Sequence, residues 1–323
     1  MGSLRTQSRE TTLRVKTFLQ ETGGGVKPPT KPGIWKLHCG EHTTSVGKSQ
    51  CDPQNRKETP PRTVHESQIH QGPGMRYYAL IPARYASSRF PGKPLTPILG
   101  QPMFGRVVHR ARQCPLFSGV YVATDDERIA AEAERRDIPC VLTHADHDSG
   151  TDRVLEAADT LGLEEDAVVA NIQGDEPTLL PSMLTRLMEP FSDTAVQVTT
   201  LARRISAQDA QNPDLVKVVL SQWGRALYFS RSPVPYGRDP DEASYWGHLG
   251  LYAYRMRVLR LFAQMQPSPL ERTEKLEQLR LLEAEIPIHA VATEDHAGQG
   301  VDSPQDVPLA EKIIQEQERC GLS

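Results

Sequence analysis

The chain has 323 residues, with 37 Lys+Arg against 41 Asp+Glu, a net charge of -4 at pH 7 and 38% hydrophobic residues. That length is beyond the range where disulfides or a metal must stand in for a core, and it leaves room for one large or two modest domains. The slightly acidic balance excludes a generic nucleic-acid or anionic-membrane binder, and no run of about 20 apolar residues reads as a membrane span.

The mean hydropathy of -0.48 is low for a fully packed chain of this size. The deficit sits in residues 1–74, which carry 11 Lys+Arg and 6 Asp+Glu, so that the tail is basic and the body from Met75 acidic. Apolar residues there follow neither a helical nor a strand period. The run Gly23, Gly24, Gly25 and the prolines Pro28, Pro29, Pro32, Pro60 and Pro61 break the backbone repeatedly. Three readings fit this segment: a disordered leader, a targeting peptide poor in acids, or an over-extended gene start ahead of Met75. The body, 75–323, is expected to be soluble and cytoplasmic.

Five cysteines, Cys39, Cys51, Cys114, Cys140 and Cys320, show no CxxC spacing. An odd, scattered set argues against a disulfide framework. His38, Cys39, His42 and Cys51 match no familiar zinc-finger spacing.

From Tyr77 onward apolar runs alternate with amphipathic stretches. The runs at 77–82, 120–123, 141–143 and 168–172 read as strands, and those at 103–114, 127–136, 153–161 and 181–189 as helices. That βαβα rhythm predicts a mostly parallel central sheet with helices on its faces and ligands at the carboxyl ends of its strands. Strand-like runs at 197–202, 216–220, 226–229 and 249–254 with short turns predict a mixed, partly antiparallel second half.

Three clusters lie in the expected loops. The first, 82–94, holds Arg84, Arg89 and Lys93 with Ser87 and Ser88 in a small-residue turn. Arginine forks and a lysine point charge suit phosphates. The plain alternative is a solvated basic loop, and neither a Walker GxxxxGK[ST] nor a GxGxxG fingerprint is present. The second cluster is Gln173, Gly174, Asp175, Glu176 and Pro177 at the end of the fourth apolar run. Asp175 suits a hard cation that keeps water and phosphate as its other ligands, or else these acids cap a turn. Asp302, in Gly300-Val301-Asp302-Ser303-Pro304, supplies a second carboxylate, while Asp306 suits the first turn of a helix. In the third cluster Arg231, His248, Tyr252 and Glu271 offer donors and acceptors for a hydroxylated acid, although a lone His or Tyr on a strand usually packs.

With these runs in place, residues 77 to about 318 resemble the 3-deoxy-manno-octulosonate (KDO) cytidylyltransferases, the CMP-KDO synthetases. The resemblance rests on Ile81-Pro82-Ala83-Arg84, Arg89, Gly92-Lys93-Pro94-Leu95, Ala123-Thr124-Asp125, Ser149-Gly150-Thr151, Gln173-Gly174-Asp175-Glu176-Pro177, Tyr228-Phe229-Ser230-Arg231, His248-Leu249-Gly250 and Gly300-Val301-Asp302, in the family's order. Ser303-Pro304-Gln305-Asp306 stands where Thr-Pro-Glu-Asp is usual and leaves Asp302 intact.

The resemblance implies a Rossmann-like nucleotidyltransferase fold, a homodimer, and the conversion of CTP and KDO into CMP-KDO and diphosphate with Mg2+, for lipopolysaccharide biosynthesis. Carried over by motif, Arg84, Arg89 and Lys93 would hold the triphosphate, and Ser149, Gly150, Thr151 and Arg153 would face cytosine and ribose. Gln173 would lie near the reacting centre, touching nucleotide and sugar. Asp175 and Asp302 would coordinate magnesium, making them catalytic with Lys93 and Arg84. Arg231, His248, Tyr252 and Glu271 would bind the sugar acid. The rival readings are a synthetase for a sialic-acid-like or 8-amino-KDO substrate and a silent nucleotide-binding scaffold; the intact Arg84, Lys93, Asp175 and Asp302 speak against the scaffold. A dehydrogenase lacks its glycine fingerprint.

Overall fold

The computed structural model describes residues 75–86, 90–147, 149–239, 243–295 and 300–322. The expectations for 1–74, including Cys39 and Cys51, and for Arg89 lie outside the described residues.

Strand β1 (Tyr77–Ala83) is buried at every residue but Tyr78. It leads to a turn with Gly92 at φ +73° and a short 3-10 turn, Lys93–Leu95. A small hairpin of β2 (Pro97–Ile98) and β3 (Gln101–Pro102) precedes α1 (Met103–Arg112), whose Met103, Phe104, Val107, Val108 and Ala111 recur at helical spacing and are buried. Strand β4 (Phe117–Thr124) is followed by α2 (Glu127–Arg135), where the Asp126 side chain accepts from Arg128 N at 3.0 Å as an N-cap. Strand β5 (Cys140–Leu142) leads to α3 (Gly150–Thr160), opened by a Ser149/Asp152 capping box. Strand β6 (Val168–Asn171), buried at all four residues, precedes α4 (Pro181–Met188), with proline in its first turn.

The second half holds β7 (Val198–Ile205), β8 (Lys217–Leu220), β9 (Ala226–Ser230) and β10 (Tyr245–Arg255). Helices α5 (Met256–Gln264), α6 (Pro269–Glu274) and α7 (Leu279–Glu283) follow, then β11 (Ile288–Ala292) and α8 (Val307–Arg319).

The main sheet runs β11-β7-β10-β6-β1-β4-β5, with β8 paired to β10 and β9 to β8. Strands β6, β1, β4 and β5 are parallel neighbours, as the alternating rhythm predicts. On that path β10 alone runs against its neighbours, being antiparallel to both β6 and β7, while β11 is parallel to β7. The second half is mixed, as expected, with β8 antiparallel to β9 and β10.

Strand β10 is longer than the expected 249–254 because its ladder with β7 continues through Tyr245–His248, beyond a register shift between Leu249 and Tyr252. Thr200 on β7 stabilises that irregularity: its hydroxyl lies 3.1 Å from Leu249 O, 2.8 Å from Leu251 O and 3.0 Å from His248 Nε2. Such a bulge re-aims the residues on either side of it. At the C-terminus Ala310 and Ile314 of α8 pack with Ile98, Met103 and Val301, which brings 300–302 back beside the loop after β1. Among the described residues no helix is long and apolar enough to cross a membrane.

Candidate active site

The ends of β1 and β6 lie side by side, with Leu80 opposite Asn171 in a parallel register. The chain leaving β6 passes so close that a Cβ on Gly174 would sit 2.8 Å from the Pro82 carbonyl oxygen. Only glycine allows that approach. Val301 N donates to Asp175 O at 2.9 Å, tying the 300–302 segment to the same edge.

On this platform Lys93 Nζ lies 2.6 Å from Asp175 Oδ2 and 3.3 Å from Asp302 Oδ1. Asp306 accepts from Asp302 N at 3.0 Å, Ser303 N at 2.8 Å and Ser303 Oγ at 2.9 Å, which makes it a cap and leaves Asp302 pointing at the lysine. Beside them the Glu176 carboxyl is pushed up to about 8, first by burial and then by the charges of Asp175 and Asp302, against the pull of Lys93. Three carboxyls and one lysine therefore crowd one edge of the sheet, and the arrangement has spare negative charge for a cation.

Arg84 and Asp125 directly follow the neighbouring parallel strands β1 and β4, and Arg153 reaches Asp125 from α3. Arg153 is fully buried; its Nη1 donates to Thr143 Oγ1 at 2.5 Å and pairs with Asp125 Oδ1 at 2.9 Å. Burial holds its pKa below the usual value, and the nearby Arg84 adds to that effect. Nε and Nη2 of Arg153 and Nη2 of Arg84 are buried without a hydrogen-bond partner among the described residues. Unpaired buried guanidinium N–H groups are costly, and an anionic ligand would satisfy them.

A polar chain runs from Gln173 through Asn171 and Thr151 to Glu277. Gln173 Nε2 donates to Asn171 Oδ1 at 3.3 Å, Asn171 Nδ2 to Thr151 Oγ1 at 3.3 Å, and Thr151 Oγ1 to Glu277 Oε1 at 3.0 Å. A Cβ on Gly150 would lie 3.5 Å from Gln173 Oε1, so the N-terminus of α3 abuts Gln173. Ser149 is engaged as the cap of that helix, with Asp152 N donating to its hydroxyl at 3.1 Å.

Two of the four sugar-side candidates share strand β10. The His248 and Tyr252 rings are 5.4 Å apart, and Phe229 meets the His248 ring edge at 5.0 Å. Burial pushes His248 down to about 3 and Tyr252 well above the usual tyrosine range, and the Tyr252 hydroxyl has no partner among the described residues. Arg231 follows β9, its Nε donating to Glu274 O at 2.8 Å and its Nη1 to Pro213 O at 3.0 Å. Glu271 accepts both Arg280 Nε at 2.8 Å and Arg280 Nη2 at 2.6 Å, and Ser268 N at 3.0 Å. Both of its oxygens are thus engaged within the protein.

The structure brings together Lys93, Asp175 and Asp302, joins Thr151 to Gln173 through Asn171, and sets His248 beside Tyr252. It leaves Glu271 in a capping box and ion pair. Two residues absent from the sequence reading stand out. Glu277 is a carboxyl raised chiefly by burial, and Lys217 on β8 is a fully buried lysine. Their signals are charges set inside apolar runs, at 276–282 and 216–220. Among the described residues no group of three or more His, Cys, Asp or Glu side chains converges on a metal position. Two carboxylates, Asp175 and Asp302, do meet one cationic atom there.

The family model described as Cytidylyltransferase matches residues 78–288. The 3-deoxy-manno-octulosonate cytidylyltransferase of Oleidesulfovibrio alaskensis is 58% identical over 243 residues, covering 75% of this chain and 97% of that protein. Its counterpart from Nitratidesulfovibrio vulgaris is 56% identical over 243 residues, covering 74% of this chain and 96% of that protein. A solved structure of a CMP:2-keto-3-deoxy-manno-octonic acid synthetase complexed with CTP superposes with a TM-score of 0.72 at 40% identity, covering 75% of this chain and 99% of that one.

Proposed function

The chain belongs to the 3-deoxy-manno-octulosonate cytidylyltransferases, and from that premise we propose that it converts CTP and KDO into CMP-KDO and diphosphate in the cytoplasm, as a homodimer, for lipopolysaccharide biosynthesis. The observation that carries this reading is the position of Lys93 between Asp175 and Asp302, together with the buried N–H groups of Arg84 Nη2 and of Arg153 Nε and Nη2, which have no hydrogen-bond partner among the described residues. A nucleoside triphosphate brings the negative charge those cations lack. Its demand for an intracellular nucleotide supports the cytoplasmic setting.

The anomeric 2-hydroxyl of KDO attacks the α-phosphorus of CTP. An oxygen–phosphorus bond forms there as the bond to the bridging oxygen of the β-phosphate breaks, and diphosphate leaves with that electron pair. The hydroxyl proton passes to solvent or to a nearby base. Such a displacement needs positioning and charge neutralisation more than covalent help. Arg84 and Lys93 would hold the triphosphate, with Arg89 of the same loop joining them. Ser149, Gly150, Thr151 and Arg153 would frame cytosine and ribose, and Gln173 would touch both substrates. His248, Tyr252 and Arg231 would bind the sugar acid, whereas Glu271, with both oxygens taken by Arg280 and Ser268, would support the site as a helix cap.

Magnesium fits the chemistry of the donors at the sheet edge. Asp175 and Asp302 are hard oxygen ligands, two in number, and already converge on a cationic atom. When bound, Mg2+ would neutralise phosphate charge and supply Lewis acidity.

Diphosphate release from the full chain tests the reading, with CTP, Mg2+ and KDO together, each omitted in turn, and with swaps to UTP, N-acetylneuraminate and 8-amino-KDO. Release that requires CTP, Mg2+ and KDO supports it. Release with another sugar acid but none with KDO would reassign the substrate, and no release with any sugar would overturn the enzymatic reading.

A further inference from the structure

Lys217 is fully buried on β8, and no carboxylate forms an ion pair with it among the described residues. A buried ammonium is costly unless its donors are used. Its Nζ donates to two main-chain oxygens, Asn212 O at 2.8 Å and Arg231 O at 2.5 Å. Register explains the second contact. Lys217 lies between Ser230 of β9 on one side and Gly247 of β10 on the other, so Arg231 leaves the end of β9 beside the start of β8, while His248, still within β10, donates its main-chain N to Val216 O at 2.8 Å.

The same arginine is held a second time by Glu274. The Glu274 carboxylate accepts Arg231 N at 3.0 Å and Ser230 Oγ at 2.7 Å, and its carbonyl oxygen accepts Arg231 Nε at 2.8 Å. With Nη1 on Pro213 O, the guanidinium is fixed by backbone oxygens on two of its three nitrogens. Its Nη2 makes no hydrogen bond among the described residues. This is a preorganised cation whose remaining donor edge is kept for something else.

We infer that Lys217 and Glu274 are positioning residues that set the Arg231 guanidinium for the carboxylate of the sugar acid. The inference rests on the reading of Arg231 as a sugar-acid ligand. Preorganisation lowers the cost of ordering the arginine when the substrate arrives, so its loss should weaken sugar binding and leave the nucleotide alone.

Steady-state kinetics of the full chain with KDO and CTP varied separately test this, alongside thermal melts, for Glu274→Gln, Lys217→Met and Arg231→Lys. Glu274→Gln keeps the volume and one acceptor; it decides the matter if Lys217→Met fails to fold. The expected result is a rise of about tenfold in KM for KDO in the Glu274 and Lys217 variants, with KM for CTP within about twofold of the parent. An unchanged KM for KDO in Glu274→Gln, while Arg231→Lys is impaired, would overturn the positioning role alone. A parallel rise in both KM values would show a merely structural role and overturn it too. An Arg231→Lys variant with an unchanged KM for KDO would remove Arg231 from the sugar site, and the inference with it.

Discussion

Lys93 Nζ stands 2.6 Å from Asp175 Oδ2, although the two residues come from loops after different strands. The lysine also reaches Asp302 at 3.3 Å, so it bridges two carboxylates that would otherwise repel each other and offsets only part of their charge. Asp175→Asn and Asp302→Asn are each expected to lower kcat by on the order of a hundredfold or more, with the melting temperature near that of the parent. Diphosphate release at saturating substrates and Mg2+ gives the answer, and a parental rate in either variant removes that acid from the reaction.

Removing the lysine has a different signature. Lys93→Ala leaves Asp175 and Asp302 facing each other without this counter-charge, and on the proposed function it also removes one cation that would hold the triphosphate. An increase of about tenfold in KM for CTP is expected. If neither KM nor kcat for CTP changes, Lys93 does not touch the nucleotide.

Gly174 tests the platform rather than the chemistry. A methyl group 2.8 Å from the Pro82 carbonyl cannot be accommodated without separating the ends of β1 and β6. Gly174→Ala should therefore cost about 1–3 kcal/mol of stability, from overpacking against a rigid backbone atom. Because Asp175 is the next residue, kcat should fall as well. Urea unfolding with a rate measurement checks both, and an undiminished kcat in a destabilised protein would show that the acid does not depend on this approach.

His248 supplies a pH signature. Burial lowers its pKa from the usual 6.5 to about 3 in the folded protein. The unfolded chain therefore binds a proton that the folded protein refuses between those values, so stability is full above about 6.5 and falls with pH below it. This residue alone accounts for a loss of about 2 kcal/mol between pH 7 and pH 5. His248→Gln should be less sensitive to acid by that amount when urea unfolding is compared at the two pH values. Equal acid sensitivity of parent and variant would show that His248 charges freely in the folded state.

The parallel half of the sheet was legible because its two central strands, β1 and β6, are buried almost throughout and read as largely apolar runs at 77–82 and 168–172. The loops at their carboxyl ends followed from topology, and with them Lys93 and Asp175. What the sequence hides is long-range compensation. Nothing near Leu249 announces the register shift of β10, because the hydroxyl that stabilises it belongs to Thr200, some 49 residues away. Lys217 interrupts the apolar run 216–220, but the acceptors that let it be buried, Asn212 O and Arg231 O, lie in two other loops. Glu277 sits in the run Lys275-Leu276-Glu277-Gln278-Leu279 as an ordinary helix-flanking acid, and only Thr151, 126 residues earlier, reveals which way it faces.

Glu277 yields the last expectation. Its carboxyl is raised chiefly by burial, accepts from Thr151, and lies close enough to Tyr252 for its charge to oppose ionisation of that phenol. A carboxyl so placed, at the end of the polar chain from Gln173 and near a buried tyrosine hydroxyl without a partner among the described residues, is suited to accept from a sugar hydroxyl. Glu277→Gln keeps an acceptor for Thr151 and removes the charge, so the fold should hold. KM for KDO should rise by about tenfold while KM for CTP stays near the parent. Glu277→Leu should do the same and in addition lower stability by about 1–3 kcal/mol, since Thr151 loses its acceptor. A glutamine variant with parental constants for both substrates would reduce Glu277 to a buried support for α3.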